Sequence, residues 1–178
     1  FISNDIIFVS KEIVGKAREG IKEKAGIEPE NILISATHTH SGPLTMNYAS
    51  NKNDPVVPKA DQKYVDFLTN SIIEAAVEAK EKAVEAKLGL GCADGTGVGT
   101  NRRDPQGPAD PEVPVLIARD VMNEAIACML VYSMHPTVLH EDSKLVSADF
   151  PGMTRSYLQN EVFGRQVPII YHTGPEGN

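Results

Sequence analysis

The sequence predicts an α/β fold: a mixed β-sheet flanked by helices, in a single domain. Three observations predict it. Short apolar runs with β-prone residues alternate with two segments of helical periodicity, near 11–25 and 61–86. Two further apolar runs, 113–119 and 125–133, are joined at Asp120–Glu124, the spacing of a hairpin. β/α alternation plus one hairpin makes the sheet mixed, with helices on its faces.

The elements follow in order. Residues 5–9 read as a strand. Ser10 can cap a helix from about 11 to 25, whose apolar face carries Ile13, Val14, Ala17 and Ile21. Gly26 and Pro29 punctuate it. A second strand spans about 31–37. Residues 41–60, with Pro43, Pro55, Pro58 and several Asn, read as a long loop of the kind that often serves function. The helix over 61–86 sets Tyr64, Phe67, Leu68, Ile72, Ala75, Ala76 and Ala79 on one face and charges on the other. Residues 88–92 form a strand, and the loop 97–111 carries Asn101-Arg102-Arg103-Asp104. The hairpin follows and ends at His135-Pro136. Asp149 and Pro151 start a short helix to about Phe163, which Gly164 stops. Residues 167–172 are a final buried strand.

Composition bounds the function. The chain has 178 residues, of which 41% are hydrophobic and 23% charged, enough for one sizeable core and unlike a disordered segment. A net charge of −7 argues against nucleic acid as the main partner, because phosphate binding needs a basic face. The lack of a CxxC pair argues against a cysteine zinc site. Cys92 and Cys128 read best as two buried free thiols; two positions alone do not settle whether they pair. No apolar run approaches the roughly 20 residues that span a bilayer. Both ends of the chain look cut from a longer protein, so the domain is expected to be incomplete.

The chemistry concentrates in Ser35-Ala36-Thr37-His38-Thr39-His40-Ser41-Gly42-Pro43. Side chains alternate along a strand, so His38 and His40 point the same way at its end. His135 ends another strand. Histidines converging from separate strand ends can hold a catalytic metal; they can equally be hydrogen-bonded structural histidines. Arg102 and Arg103 can hold a substrate oxygen or sit exposed in their loop. Asp149 reads as a helix cap, and His140 and His172 as structural. The turn from Thr173 to Asn178 can offer backbone N–H groups to an oxyanion, and Glu176 within it can be a metal-site base but reads better as an exposed turn carboxylate.

Taken in order, four segments resemble the neutral/alkaline non-lysosomal ceramidases. They are the His-Thr-His run; Asn101-Arg102-Arg103-Asp104-Pro105 with Asp110-Pro111-Glu112-Val113-Pro114; His135-Pro136-Thr137-Val138 with Ser147-Ala148-Asp149-Phe150-Pro151-Gly152; and Thr173-Gly174-Pro175-Glu176-Gly177-Asn178. The resemblance implies that residues 1–178 are part of an N-terminal catalytic domain. It implies a zinc-dependent amidase cleaving N-acylsphingosine to fatty acid and sphingosine. His38 and His135 then fall on zinc ligands, and His40 and Arg102 on substrate-contacting catalytic positions. The family's remaining ligands, a glutamate and a tyrosine, lie further along, and its serine follows a Gly-Asn-x pattern just past this chain. The piece alone is therefore expected to be inactive and to work with further domains of its polypeptide. The implied partner is a small lipid or N-acyl amide, with peripheral membrane contact and a secreted or cell-surface location. Leu44-Thr45-Met46 departs from the glycines that follow Ser-Gly-Pro in the family. A metal-dependent hydrolase of another amide or ester, or a non-catalytic binding domain of the same fold, are the alternatives.

Overall fold

The computed structural model describes residues 1–47, 56, 58–140 and 142–176. Most of the tip of the predicted 41–60 loop, and Gly177-Asn178, lie outside them. The fold is α/β, with mixed strand pairing and three helices. Its strands form two sheets rather than one. Strands β1 (Ile2–Asn4) and β2 (Ile34–Ala36) pair in parallel. Strands β3 (Lys87–Asp94), β4 (Glu112–Arg119), β5 (Ala125–Tyr132) and β6 (Ile169–Thr173) form the second sheet in that order. The pairs β3–β4 and β4–β5 are antiparallel; β5–β6 is parallel.

Side-chain bonds join the two sheets along β6. Ser3 Oγ donates to the Tyr171 carbonyl, Thr173 Oγ1 donates to the Thr37 carbonyl at 2.6 Å, and Ser35 Oγ lies 2.6 Å from His172 Nδ1. Hydroxyls thus take the place of a backbone ladder at this seam, which hydrophobic patterning cannot reveal.

Helix α1 (Lys11–Ala25) starts as predicted, with Ser10 Oγ accepting from Ile13 N–H at 3.2 Å. Ile13, Ala17 and Ile21 recur every four residues and are buried, as a helix with one covered face requires. They pack on Ile6, Ile32 and on Leu68, Ile72 and Ile73 of α2 (Gln62–Glu81). The two helices approach closely at Gly20, where a Cβ would stand 2.5 Å from Ile73 Cδ1. The second core lies between the larger sheet and α3 (Asp149–Tyr157), around Cys128, Leu130, Tyr132, Ile169 and Tyr171.

Several expectations are corrected. The first strand is 2–4, not 5–9. Its partner ends at Ala36, and beyond Asn4 the chain bends, so that Thr37 and His38 donate to the Asn4 and Ile6 carbonyls instead. Helix α2 stops at Glu81, short of 86, and its buried stripe is rotated from the predicted one: Phe67 is 65% exposed and Ala75 and Ala79 are exposed, whereas Thr69 and Ile73 are buried. Helix α3 gives way to one π-type turn, Leu158–Val162. Cys92 is exposed on β3, a sheet edge, while Cys128 is buried, and both are free thiols.

Candidate metal centre

His38, His40 and His135 converge although the strand that carries the first two ends at Ala36. Thr37 and Thr39 are fully buried. Thr37 Oγ1 donates to Asp5 Oδ1 at 3.3 Å, and Thr39 Oγ1 to the Ser147 carbonyl at 2.9 Å. The threonines turn inward, so the intervening histidines turn outward together. The shared face predicted from strand alternation is present, but buried hydroxyls produce it. His38 itself adopts φ 66°, a left-handed conformation that a residue with a Cβ reaches at a cost of roughly 1–3 kcal/mol.

His135 arrives from the chain beyond β5. The ring centroids stand 5.0 Å (His38–His40), 4.8 Å (His38–His135) and 5.0 Å (His40–His135) apart. One nitrogen from each ring lies within 4.8 Å of the others. The protons can be assigned from the partners. His38 Nδ1 donates to the Ile7 carbonyl at 2.8 Å, which leaves Nε2 bare. His135 turns Nδ1 to the Glu176 carboxylate and Nε2 toward His40 Nε2, 3.0 Å away. Burial, then the neighbouring His38, His135 and Arg102 charges, hold the His40 pKa below the ordinary imidazole value, against a weaker pull from Asp149. Three imidazoles turned to one point offer a divalent transition metal the nitrogen donors it requires once the proton between His40 and His135 gives way to the ion, so the donor set fits zinc.

The remaining predicted residues fall out as follows. Arg102 is exposed in the β3–β4 connection, close enough for its charge to act on His40. That loop is folded on Asn101, whose Oδ1 accepts from Arg103 and Asp104 N–H and whose Nδ2 donates to the Pro108 carbonyl. Arg103 is exposed as well. His140 is exposed and stands outside the histidine group. His172 is buried against Ser35.

Asp149 is not the expected cap. Ala148 holds that position, and the buried Asp149 carboxylate accepts from Phe150, Val138 (3.3 Å) and Leu139 (2.9 Å) N–H, tying down the chain after His135. Glu176 is also corrected. Its side chain is only 15% exposed, and it faces His135 Nδ1 and, at 3.8 Å, His38 Nε2. The parallel register explains this: Tyr132 pairs with Thr173, so the residues three further on, His135 and Glu176, leave the sheet side by side. No single-strand pattern carries that information. A collision between a Cβ at Gly174 and Ser133 Oγ shows how close the two exits run.

An α/β domain with three imidazoles gathered beyond its strand ends carries a candidate metal site. No family model matches the chain. It is 22% identical over 175 residues to the neutral ceramidase of Pseudomonas aeruginosa, covering 91% of this chain and 26% of that protein. The fold matches the crystal structure of neutral ceramidase from Pseudomonas aeruginosa with a TM-score of 0.86, at 21% identity, over 99% of this chain and 30% of that one. A structure described as ceramidase complexed with C2 matches with a TM-score of 0.78, at 21% identity, over 96% of this chain and 28% of that one. The resemblance read from the motifs is thus borne out in sequence and in fold, and the chain corresponds to less than a third of the relatives it matches.

Proposed function

We propose that this chain is the histidine-bearing portion of a zinc-dependent hydrolase of the neutral ceramidase type, splitting an N-acyl amide into a carboxylic acid and an amine. The convergence of His38, His40 and His135 carries the reading. His38 and His135 would hold the ion through their bare Nε2 atoms, with His40 beside them. When bound, zinc supplies Lewis acidity and lowers the pKa of coordinated water. The Ile7 carbonyl keeps His38 in the tautomer that leaves Nε2 free. Neutral His40 can accept a hydrogen bond from a substrate N–H or water. The Arg102 guanidinium offers positive charge where an amide oxygen becomes negative. Further segments of the polypeptide complete the site, and the protein acts from the cell surface or outside it, touching membrane peripherally. Among the described residues no helix is long and apolar enough to cross a membrane.

N-acylsphingosine is the substrate the resemblance favours. The run Leu44-Thr45-Met46, where the family has glycines after Ser-Gly-Pro, is the feature that favours a different amide or ester. A cavity of about 410 Å³ beside Glu176, with Thr100, Asn101, Pro108, Ala109 and Pro175 among its walls, gives a substrate room there.

The test is metal content and hydrolysis on protein made from the complete reading frame, with long-chain ceramide, short N-acyl amides and esters side by side. About one zinc per chain is expected, lost together with activity in His38→Ala. Retention of both zinc and amidase activity in that variant would overturn the reading.

A further inference from the structure

A carboxylate that is largely buried needs a partner, because desolvation penalises the charge. Glu176 finds its partner in His135. The buried Oε2 lies in ion-pair contact with His135 Nδ1 and has no hydrogen bond of its own among the described residues, while the same nitrogen is hydrogen-bonded to the Glu176 backbone carbonyl at 3.3 Å. Two acceptors therefore confront one ring nitrogen. Only a protonated Nδ1 satisfies both, and a neutral imidazole protonated there presents a bare Nε2. That Nε2 faces His40 Nε2. The imidazole is also fixed in rotation, since turning it over would set a bare nitrogen against a carboxylate.

We propose that Glu176 is a positioning residue of the metal centre. It holds His135 by its Nδ1 edge, fixes tautomer and ring orientation, and raises the basicity of Nε2 toward the ion. His38 is held in the same sense by a neutral carbonyl, so the two ligands differ in the charge behind them. Glu176 belongs to the turn after β6, and the parallel β5–β6 register keeps it level with His135. The inference rests on the metal reading above.

The experiment uses the full-length protein with zinc, measured by chelator competition, and with cobalt, whose visible spectrum reports ligand geometry. Glu176→Ala is expected to weaken zinc binding by about 10–100-fold and to alter the cobalt spectrum. Glu176→Gln keeps an oxygen that can accept from Nδ1 and should bind within about fivefold of the parent. Glu176→Asp, which withdraws the carboxylate by one methylene, should resemble Ala and serves if the Ala variant fails to fold. Zinc affinity within twofold of the parent in both Ala and Asp variants, with the parent binding metal, overturns the role of Glu176 alone. A parent that binds neither zinc nor cobalt overturns the metal reading as well.

Discussion

At His38, backbone and side chain are in tension. Its φ of 66° is unfavourable for any residue with a Cβ, whereas its Nδ1 bond to Ile7 and its edge contact with the Phe8 ring, centroids 5.1 Å apart, are favourable. His38→Gly would relieve the backbone and forfeit the bond, two effects of about 1 kcal/mol each that nearly cancel. His38→Ala would keep the backbone cost and still forfeit the bond, so the metal-free protein should lose about 1–2 kcal/mol. Denaturant melts of the chelated variants check this order, Gly close to the parent and Ala below it; an Ala variant as stable as the Gly variant would show that the backbone carries no strain. Both should lose metal. The histidines themselves were legible, because a His-x-His at the end of an apolar run signals one shared face. The left-handed turn was not, because nothing in Thr-His-Thr requires it. It follows from Thr37 and Thr39 reaching partners 32 and 108 residues away in sequence.

At the scale of elements, helix α2 tests which face matters. The sequence places both Phe67 and Ile72 on the apolar stripe, but packing on α1 selects the face through Leu68, Thr69, Ile72 and Ile73. Ile72→Ala should cost about 2–5 kcal/mol, and Phe67→Ser should stay within about 0.5 kcal/mol of the parent in the same melts. A large loss at Phe67 would mean that another surface covers it. Periodicity locates a helix well because it needs only local residues. The angle at which the helix meets its neighbour depends on the neighbour, here on the close approach at Gly20. The start of α3 shows the same limit. Asp149 looked like a cap, and it has instead the buried, left-handed geometry (φ 54°) of a residue bonded to a distant loop. Asp149→Ala would leave the Val138 and Leu139 N–H groups without acceptors at about 1–3 kcal/mol each. The expected result is a loss of about 2–6 kcal/mol, with faster hydrogen exchange at those two amides; unchanged exchange there would dissociate Asp149 from the His135 loop.

Across the whole molecule, the seam between the two sheets sets how stability responds to acid. His172 stands at that seam, 8% exposed, with Nδ1 on Ser35 and Nε2 buried without a hydrogen-bond partner among the described residues. Burial holds its pKa below the ordinary value, and His40 is shifted the same way, also chiefly by burial. The sign follows from linkage. Above the unfolded imidazole pKa of about 6.5 both states are neutral and the full stability is present. As pH falls through that value the unfolded chain takes up protons that the folded chain resists, and stability declines until the folded pKa is passed. Metal-free, full-length protein should therefore show a lower urea midpoint at pH 5 than at pH 7.5. His172→Asn, which removes the titrating ring, should shrink the difference. An equal drop in parent and variant would place the acid sensitivity elsewhere and deny the seam this role. Neither sheet alone contains the effect, since Ser35 belongs to the small sheet and His172 to the large one. The apolar runs and the hairpin were readable because each is specified within about ten residues. The seam and the burial of His172 depend on pairings more than 100 residues apart, the β5–β6 register on pairings such as Cys128 with Ile169, and the histidine cluster on a contact 95 residues apart in sequence; the histidine cluster and the acid response arise at these non-local contacts.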